Sequence, residues 1–285
     1  MVPAMHLAPI SFAFEGHDGI ALHGQSWRPH SDSPRAQLII VHGIGEHCDR
    51  YESIIRELLP REIAVHSWDQ RGHGRSSGRR GHVRSWSDYR RDLLGFIQLI
   101  QSRTPRDCPT FVLGHSMGAL VLLDTAVTDL PPLAGLAVSG APIHPSGVAR
   151  PHLVFLARLL SRLWPTFAMK LPIQPEDLMA DPGKLERIAS DPLLHRTITV
   201  RWGYEALQAL ERVQSRMNRL TQPLLILHGS LDSVNLHSGA QWLYDHAASG
   251  DKTLHTYLET RHEPHNDIER DAATRDLAEW IEARL

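Results

Sequence analysis

The segment Thr110-Phe111-Val112-Leu113-Gly114-His115-Ser116-Met117-Gly118-Ala119-Leu120-Val121-Leu122-Leu123 changes its character half-way. Its first four residues form a short apolar, β-rich run, and from Met117 onward the apolar positions continue as a helix. Between the two stands G-x-S-x-G, residues 114–118. The bare pattern would arise by chance in about one chain in ten of this glycine and serine content, so the flanks carry the reading. A strand, a sharp turn and a helix are what a nucleophile elbow requires, with the serine in a strained turn and the glycines letting strand and helix approach. Ser116 is then presented above the edge of a sheet, at a helix start whose free N–H groups face a developing anion.

Outward from this segment the chain alternates. Strands are expected over 10–15 and 21–27, joined at His17-Asp18-Gly19, and over 36–41, a continuous apolar run suited to a strand buried on both faces. Further strands are expected at 63–68, 110–113 and 134–138, with helices at 51–59, 85–103 and 117–127 between them. From 142 to about 218 no strand pattern is evident, and helical stretches are divided by Pro165, Pro172, Pro175, Pro182 and Pro192. Alternation then resumes with a strand at 223–227, a helix at 238–246, a strand at 253–258 and a terminal helix at 268–285. Eight strands alternating with helices imply an α/β fold with a mostly parallel sheet covered on both faces. The expected division is a core of residues 1–141 and 219–285, with a helical cap of 142–218 inserted after the sixth strand, over the sheet edge that carries sites in open α/β folds.

A serine hydroxyl needs a base to take its proton and an acid to orient that base. Among 19 histidines, position must choose. The architecture sets the order Ser, acid, His, each after a strand's C-terminal end. His228-Gly229-Ser230-Leu231-Asp232-Ser233 offers Asp232, and Glu259-Thr260-Arg261-His262-Glu263-Pro264-His265 offers His262 and His265, which spacing alone does not separate. The oxyanion donors are expected to be the backbone N–H groups of Met117, after the nucleophile, and Ile44, in the loop after the third strand.

These stretches together resemble the monoacylglycerol lipases and their lysophospholipase relatives. His42-Gly43-Ile44-Gly45-Glu46-His47 followed by Arg50-Tyr51 is similar to that family's HGxGEHxxRY signature. Asp69 with Gly72-His73-Gly74-Arg75-Ser76-Ser77-Gly78 matches its D-x-x-GHGxSxG stretch, and Gly114 to Gly118 its GHSMG elbow. The similarity continues through Ser190-Asp191-Pro192-Leu193 and both late loops. The resemblance implies an α/β-hydrolase fold with catalytic Ser116, Asp232 and His262 and oxyanion donors at Ile44 and Met117. It implies cleavage of a single-acyl-chain lipid ester, monoacylglycerol before lysophospholipid or a broad range of carboxylic esters. Arg261 departs from the family, which usually has an aromatic residue before the catalytic histidine.

Residues 151–165 read as a helix with a wide apolar face and a polar stripe at Arg158, Ser161 and Arg162. Such a helix suits either packing on the core or lying on a lipid interface. Leu153, Leu156 and Leu160 on it are candidate substrate-contacting residues. Arg71, Arg75, Arg79, Arg80 and Arg84 form a basic cluster suited to a phosphate-bearing head group, or to local ion pairs. Cys48 and Cys108 cannot make a disulfide scaffold, and Cys48 is assigned no role. Neither His73 with His82 nor His262 with His265 shows metal-ligand spacing, so no metal or cofactor is expected. With 30 basic and 32 acidic residues, a net charge of −2 excludes a protein that works by a strongly basic surface, so no nucleic-acid partner is expected. The N-terminal residues lack the basic start and apolar stretch of a secretory signal, giving a cytoplasmic expectation with peripheral membrane contact through the cap. Asp-nucleophile hydrolases of this fold are disfavoured by Ser116. A non-catalytic binding module would more readily have lost a triad member.

Overall fold

The computed structural model describes residues 8–31, 33–146 and 158–285. Ten strands are present among them: β1 Ile10–Glu15, β2 Ala21–Trp27, β3 Ala36–Val41, β4 Ile63–Asp69, β5 Thr110–His115, β6 Gly135–Ser139, β7 Ala168–Lys170, β8 Thr197–Thr199, β9 Leu224–Gly229 and β10 Lys252–Tyr257. The helices are α1 Glu52–Leu58, α2 Trp86–Ser102, α3 Met117–Ala126, α4 Pro175–Leu178, α5 Pro182–Ser190, α6 Val200–Arg216, α7 His237–His246 and α8 Arg270–Glu282. Eight strands form one sheet in the order β1-β2-β4-β3-β5-β6-β9-β10. The hairpin β1–β2 joins antiparallel to β4, and from β4 to β10 every neighbouring pair is parallel.

All six residues of β3 are buried, five of them apolar and the sixth, Gln37, donating from Nε2 to Thr110 Oγ1 at 2.8 Å. Successive side chains point to opposite faces, so β3 feeds two cores. Ile39 and Val41 pack with Leu93 and Phe96 of α2 and Leu123 of α3. Leu38 and Ile40 pack with Ile54 and Leu58 of α1 and Leu277 and Ile281 of α8. From β3 the chain crosses to β4 on one side and later to β5 on the other, which makes the gap between β3 and β5 the switch point of the sheet. The register sets Val41 beside Gly114, so the loop after β3 starts next to the elbow after β5.

The region between β6 and β9 departs from the expectation of helices alone. Ala168–Lys170 and Thr197–Thr199 pair antiparallel as a separate two-stranded sheet. Three-residue strands are too short to show a period, and Ala168, Met169 and Lys170 are all exposed, so no apolar alternation marks them. The helix expected at 151–165 is seen over 158–163, ahead of Pro165, while Leu153 and Leu156 lie outside the described residues. Helix α6 is fastened to the core by Arg212, whose guanidinium donates to both oxygens of the buried Asp124 of α3 at 3.0 and 2.9 Å. No helix among the described residues is long and apolar enough to cross a membrane.

The strand-to-helix junction is the tightest place in the sheet. A Cβ on Gly118 would collide with the Val41 carbonyl oxygen and one on Gly114 would lie 2.5 Å from the Gly118 carbonyl oxygen, backbone atoms that cannot swing away. Gly118→Ala is expected to cost at least about 2–3 kcal/mol of stability, read as a lowered midpoint in chemical denaturation.

Candidate active site

Ser116 sits between β5 and α3 at φ 51° and ψ −118°, a left-handed conformation that a non-glycine residue adopts only under constraint. Its N–H donates to the Ser139 carbonyl at 2.9 Å, and its carbonyl accepts from Leu120 N–H in the first turn of α3. The hydroxyl is thereby lifted off the sheet edge. His262, in the loop after β10, places Nε2 2.9 Å from Ser116 Oγ and Nδ1 2.8 Å from Asp232 Oδ2. With the Nδ1 proton directed at Asp232, Nε2 is left to accept the serine proton.

Asp232, in the loop after β9, is anchored at its other oxygen by the N–H groups of Val234 and Asn235, both at 2.8 Å. Burial alone would raise its pKa, but the charge and hydrogen bond of His262, with His228 and the Asn235 N–H, hold it below the ordinary value. For His262 burial works downward, and the Asp232 carboxylate outweighs it, so the imidazole pKa is raised above 6.5. Asn235 also donates from Nδ2 to the Gly140 carbonyl at 2.7 Å, joining the acid's loop to the turn that packs on the His262 ring.

His265, the other histidine of that loop, makes no hydrogen bond to Ser116 or Asp232. Its ring stacks on Tyr51 at 4.8 Å and meets His115 edge-on at 4.9 Å, and burial drives its pKa well down. Met117 N–H opens α3, where the helix leaves its first donors free. Ile44 is half-buried between Gly43 and Gly45, and its N–H has no acceptor among the described residues. Leu160 is half-buried near the end of the 158–163 helix.

Beside the serine lies a polar cluster to which the sequence reading, His265 as alternative base apart, gave no role beyond the signature. Glu46 accepts from Tyr51 Oη at 2.9 Å and Gly43 N–H at 3.1 Å. Arg50 donates from Nη2 to both oxygens of the fully buried Glu263, at 2.8 and 2.6 Å, and Asn266 donates to Glu263 at 2.8 Å. Around this knot His115 Nε2, both ring nitrogens of His265 and Arg50 Nε are buried without a hydrogen-bond partner. Buried polar atoms are rarely left so. The available signal was positional: His115 immediately precedes Ser116, and His265 follows His262 by three residues.

Glu46, His115 and Glu263 bring potential metal-ligand atoms close together, as do His23, Cys48 and Asp69. In the first group Arg50 already supplies the cation. In the second, Asp69 accepts the N–H groups of Cys48 and Arg75 and serves as a loop anchor. Cys48 is buried, and desolvation pushes its thiol pKa well up. The arginine cluster disperses into local partners: Arg71 onto Asp92 and Asp18, Arg75 onto Asp49, Arg79 and Arg80 onto backbone carbonyls, and Arg84 toward Asp88. Arg261 turns away from the base. Its Nη1 donates to the carbonyls of Glu176 and Met179 at 2.5 and 3.3 Å, while Glu263 N–H donates to the Leu178 carbonyl at 3.0 Å.

A family model described as serine aminopeptidase, S33, matches residues 32–269. Rat monoglyceride lipase is 32% identical over 276 residues, covering 94% of this chain and 89% of the relative. The chain belongs to the monoacylglycerol lipase family of α/β-hydrolases. The crystal structure of Paleococcus ferrophilus monoacylglycerol lipase superimposes with a TM-score of 0.84 at 27% identity, covering 93% of this chain and 99% of that one. A soluble variant of monoglyceride lipase from Saccharomyces cerevisiae, bound to a substrate analogue, shares the fold with a TM-score of 0.87 at 22% identity, covering 100% of this chain and 98% of that one. The protein is accordingly a carboxylic ester hydrolase acting on lipid esters.

The buried pair at the base of the site generates a stability prediction. Arg50→Met leaves the Glu263 carboxylate enclosed without its cation, and is expected to cost about 3–5 kcal/mol in chemical denaturation.

Proposed function

We propose that this monoacylglycerol lipase family member cleaves monoacylglycerol to glycerol and a free fatty acid through a Ser116–His262–Asp232 triad and an acyl-enzyme. The observation that carries the reading is the continuous hydrogen-bond line from Ser116 Oγ through the His262 ring to Asp232, set beside a buried cluster with unsatisfied polar atoms. Ser116 Oγ attacks the ester carbonyl as His262 Nε2 takes its proton, and Asp232 stabilises the imidazolium. The carbonyl oxygen becomes an oxyanion received by the N–H groups of Ile44 and Met117. Collapse expels the alcohol, which takes the proton from His262 and leaves the acyl group on Ser116. Water then attacks the acyl-enzyme, gives a proton to His262, and the second collapse returns it to Ser116 with release of the fatty acid. The His115, His265 and Arg50 donors and acceptors suit the hydroxyl groups of a glycerol leaving group.

In this reading residues 1–141 and 219–285 form the catalytic core, and 142–218 form a cap that covers the acyl chain, with Leu160 along its path. The cap also carries an apolar surface: Leu159, Leu163, Trp164, Phe167 and Met169 are exposed, Leu163 at 74% and Trp164 at 60%. Arg158, Arg162 and Lys170 are exposed among them. Apolar side chains rimmed by cations suit contact with an anionic lipid surface, through which a single-chain substrate would enter.

Four measurements test these assignments. A fluorophosphonate probe is expected to label the native protein at Ser116 and to fail on Ser116→Ala; an unlabelled native protein would instead indicate a binding module. Asp232→Asn is expected to keep the fold and lower kcat by roughly 10⁴-fold, and near-native turnover would move the acid elsewhere. The base acts only when neutral, so kcat/KM is lost as pH falls through the His262 pKa. Because Asp232 raises that pKa, the acid limb is expected above pH 6.5, and in Asp232→Asn it moves to lower pH. Independently, Leu163→Ser with Trp164→Ser is expected to weaken sedimentation with anionic vesicles by about tenfold or more, since each side chain buries roughly 1.5–3 kcal/mol when fully inserted.

A further inference from the structure

His228, the next-to-last residue of β9, is fully buried four residues before Asp232, yet the triad does not use it. Its Nε2 lies 2.9 Å from the Asn235 carbonyl oxygen and 3.4 Å from Asp232 Oδ2, the oxygen that also takes the His262 Nδ1 proton. A bare ring nitrogen facing two oxygens would be repelled by both, so the proton sits on Nε2 and is donated to Asn235. Nδ1 is then a lone pair, buried with no hydrogen-bond partner among the described residues. A second proton there would be an enclosed donor without an acceptor, and burial lowers the His228 pKa against the pull of Asp232. The imidazole is fixed as one neutral tautomer.

The carbonyl it holds belongs to the residue that grips the acid. Asn235 N–H donates to Asp232 Oδ1 at 2.8 Å, and Asn235 Nδ2 donates to the Gly140 carbonyl at 2.7 Å. Gly140, at φ 55°, lies so close to the base that a Cβ there would stand 3.0 Å from His262 Cε1. On either side the loop is paired through backbone: Ser146 N–H with the Val234 carbonyl and Leu236 N–H with the His144 carbonyl, both at 3.0 Å. Between them the Asn235 carbonyl takes the imidazole proton instead. Asn235 is thus fixed at its N–H, its carbonyl and its side chain, and the carbonyl contact is the one that comes from a strand of the large sheet.

We propose that His228 is a positioning residue for the catalytic acid: through Asn235 it fixes the direction from which Asp232 meets the His262 ring. The role rests on the Ser116–His262–Asp232 reading above and adds to it an imidazole that stays neutral throughout turnover. Loss of the Nε2 donor loosens the Asn235 grip on Oδ1 and weakens the Asp232–His262 bond, so the carboxylate offsets less of the burial acting on the base. The other groups facing the His262 ring are left in place: Glu46 from the loop after β3, His115 from the end of β5, and Glu263 and His265 on its own loop.

The test follows hydrolysis of p-nitrophenyl butyrate by the full chain across pH. His228→Leu removes the donor. His228→Gln returns an N–H close to the place of Nε2, whereas His228→Asn sets its amide nearer Nδ1, short of the Asn235 carbonyl. His228→Leu and His228→Asn are expected to lower kcat by about tenfold with KM nearly unchanged, the worth of one buried hydrogen bond. In both, the acid limb of kcat/KM is expected to move to lower pH, in the direction of Asp232→Asn but less far. His228→Gln is expected to restore both quantities. Should His228→Leu fail to fold, the contrast between His228→Gln and His228→Asn carries the comparison. Folded variants with native kcat overturn the proposal, and so does a loss of kcat that leaves the acid limb in place or that His228→Gln does not relieve. Failure of the hydrolase reading is separately visible: the native protein would cleave no ester and escape the fluorophosphonate probe.

Discussion

The bond between β5 and α3 has to turn within a single residue, and the geometry of the site follows from that. Ser116 accepts φ 51° because the structure fixes it from both sides: its N–H is held by Ser139 of the neighbouring strand, and its carbonyl is taken into the first turn of α3. The helix can start there only because Gly118 passes against the Val41 carbonyl with no side chain between them. That close approach also brings the end of β3, Val41 and His42, against the first turn of α3. One steric constraint thus sets the serine at the sheet edge and directs the helix dipole at it. Strain of this kind costs about 1–3 kcal/mol per residue, and the packed β3–β5–β6 centre of the sheet offsets it.

Charge is arranged around this turn by burial rather than by number. Asp232 is held below its ordinary pKa by the His262 ring and the N–H groups of Val234 and Asn235, and His262 is easier to protonate because Asp232 is there. The neighbouring imidazoles go the other way: His115 falls to about 3 and His265 well below its ordinary value, since neither has a carboxylate bond to offset desolvation. Three histidine rings in contact thus have separated roles, with one able to take a proton near neutral pH and two held neutral. A neutral imidazole both donates and accepts, which is what a hydroxyl-bearing group requires.

The core was legible because its signals are periodic and local. The run Ala36–Val41 is apolar at every position but Gln37 and is buried throughout, and the eight strands of the large sheet fall where the alternation places them within a few residues. The Ser116, Asp232 and His262 loops were legible because each follows a strand end, and the parallel sheet delivers every such end to one edge. What was not legible depends on contacts between distant segments. Whether His262 or His265 faces Ser116 depends on Tyr51 stacking on the latter, 214 positions away in sequence. The short pair Ala168–Lys170 and Thr197–Thr199 leaves no period to read, and within 71–84 Arg71 and Arg75 find acids while Arg79 and Arg80 find backbone carbonyls.

Arg261 shows how such a distant contact can change the meaning of a departure from a family pattern. Read from sequence, it puts a charge next to the base. In the structure the guanidinium leaves the site and binds the carbonyls of Glu176 and Met179, while the next residue but one, Glu263, donates its N–H to Leu178. The loop is further fixed by Asp267, which accepts Arg261 N–H at one oxygen and Ala180 N–H at the other, both through short bonds. Ser233, directly after the acid, reaches Asp177 at 3.2 Å. Both neighbours of the base and the neighbour of the acid are therefore tied to one short stretch, 176–180, between β6 and β9. A displacement of that stretch would therefore strain the loops that hold His262 and Asp232.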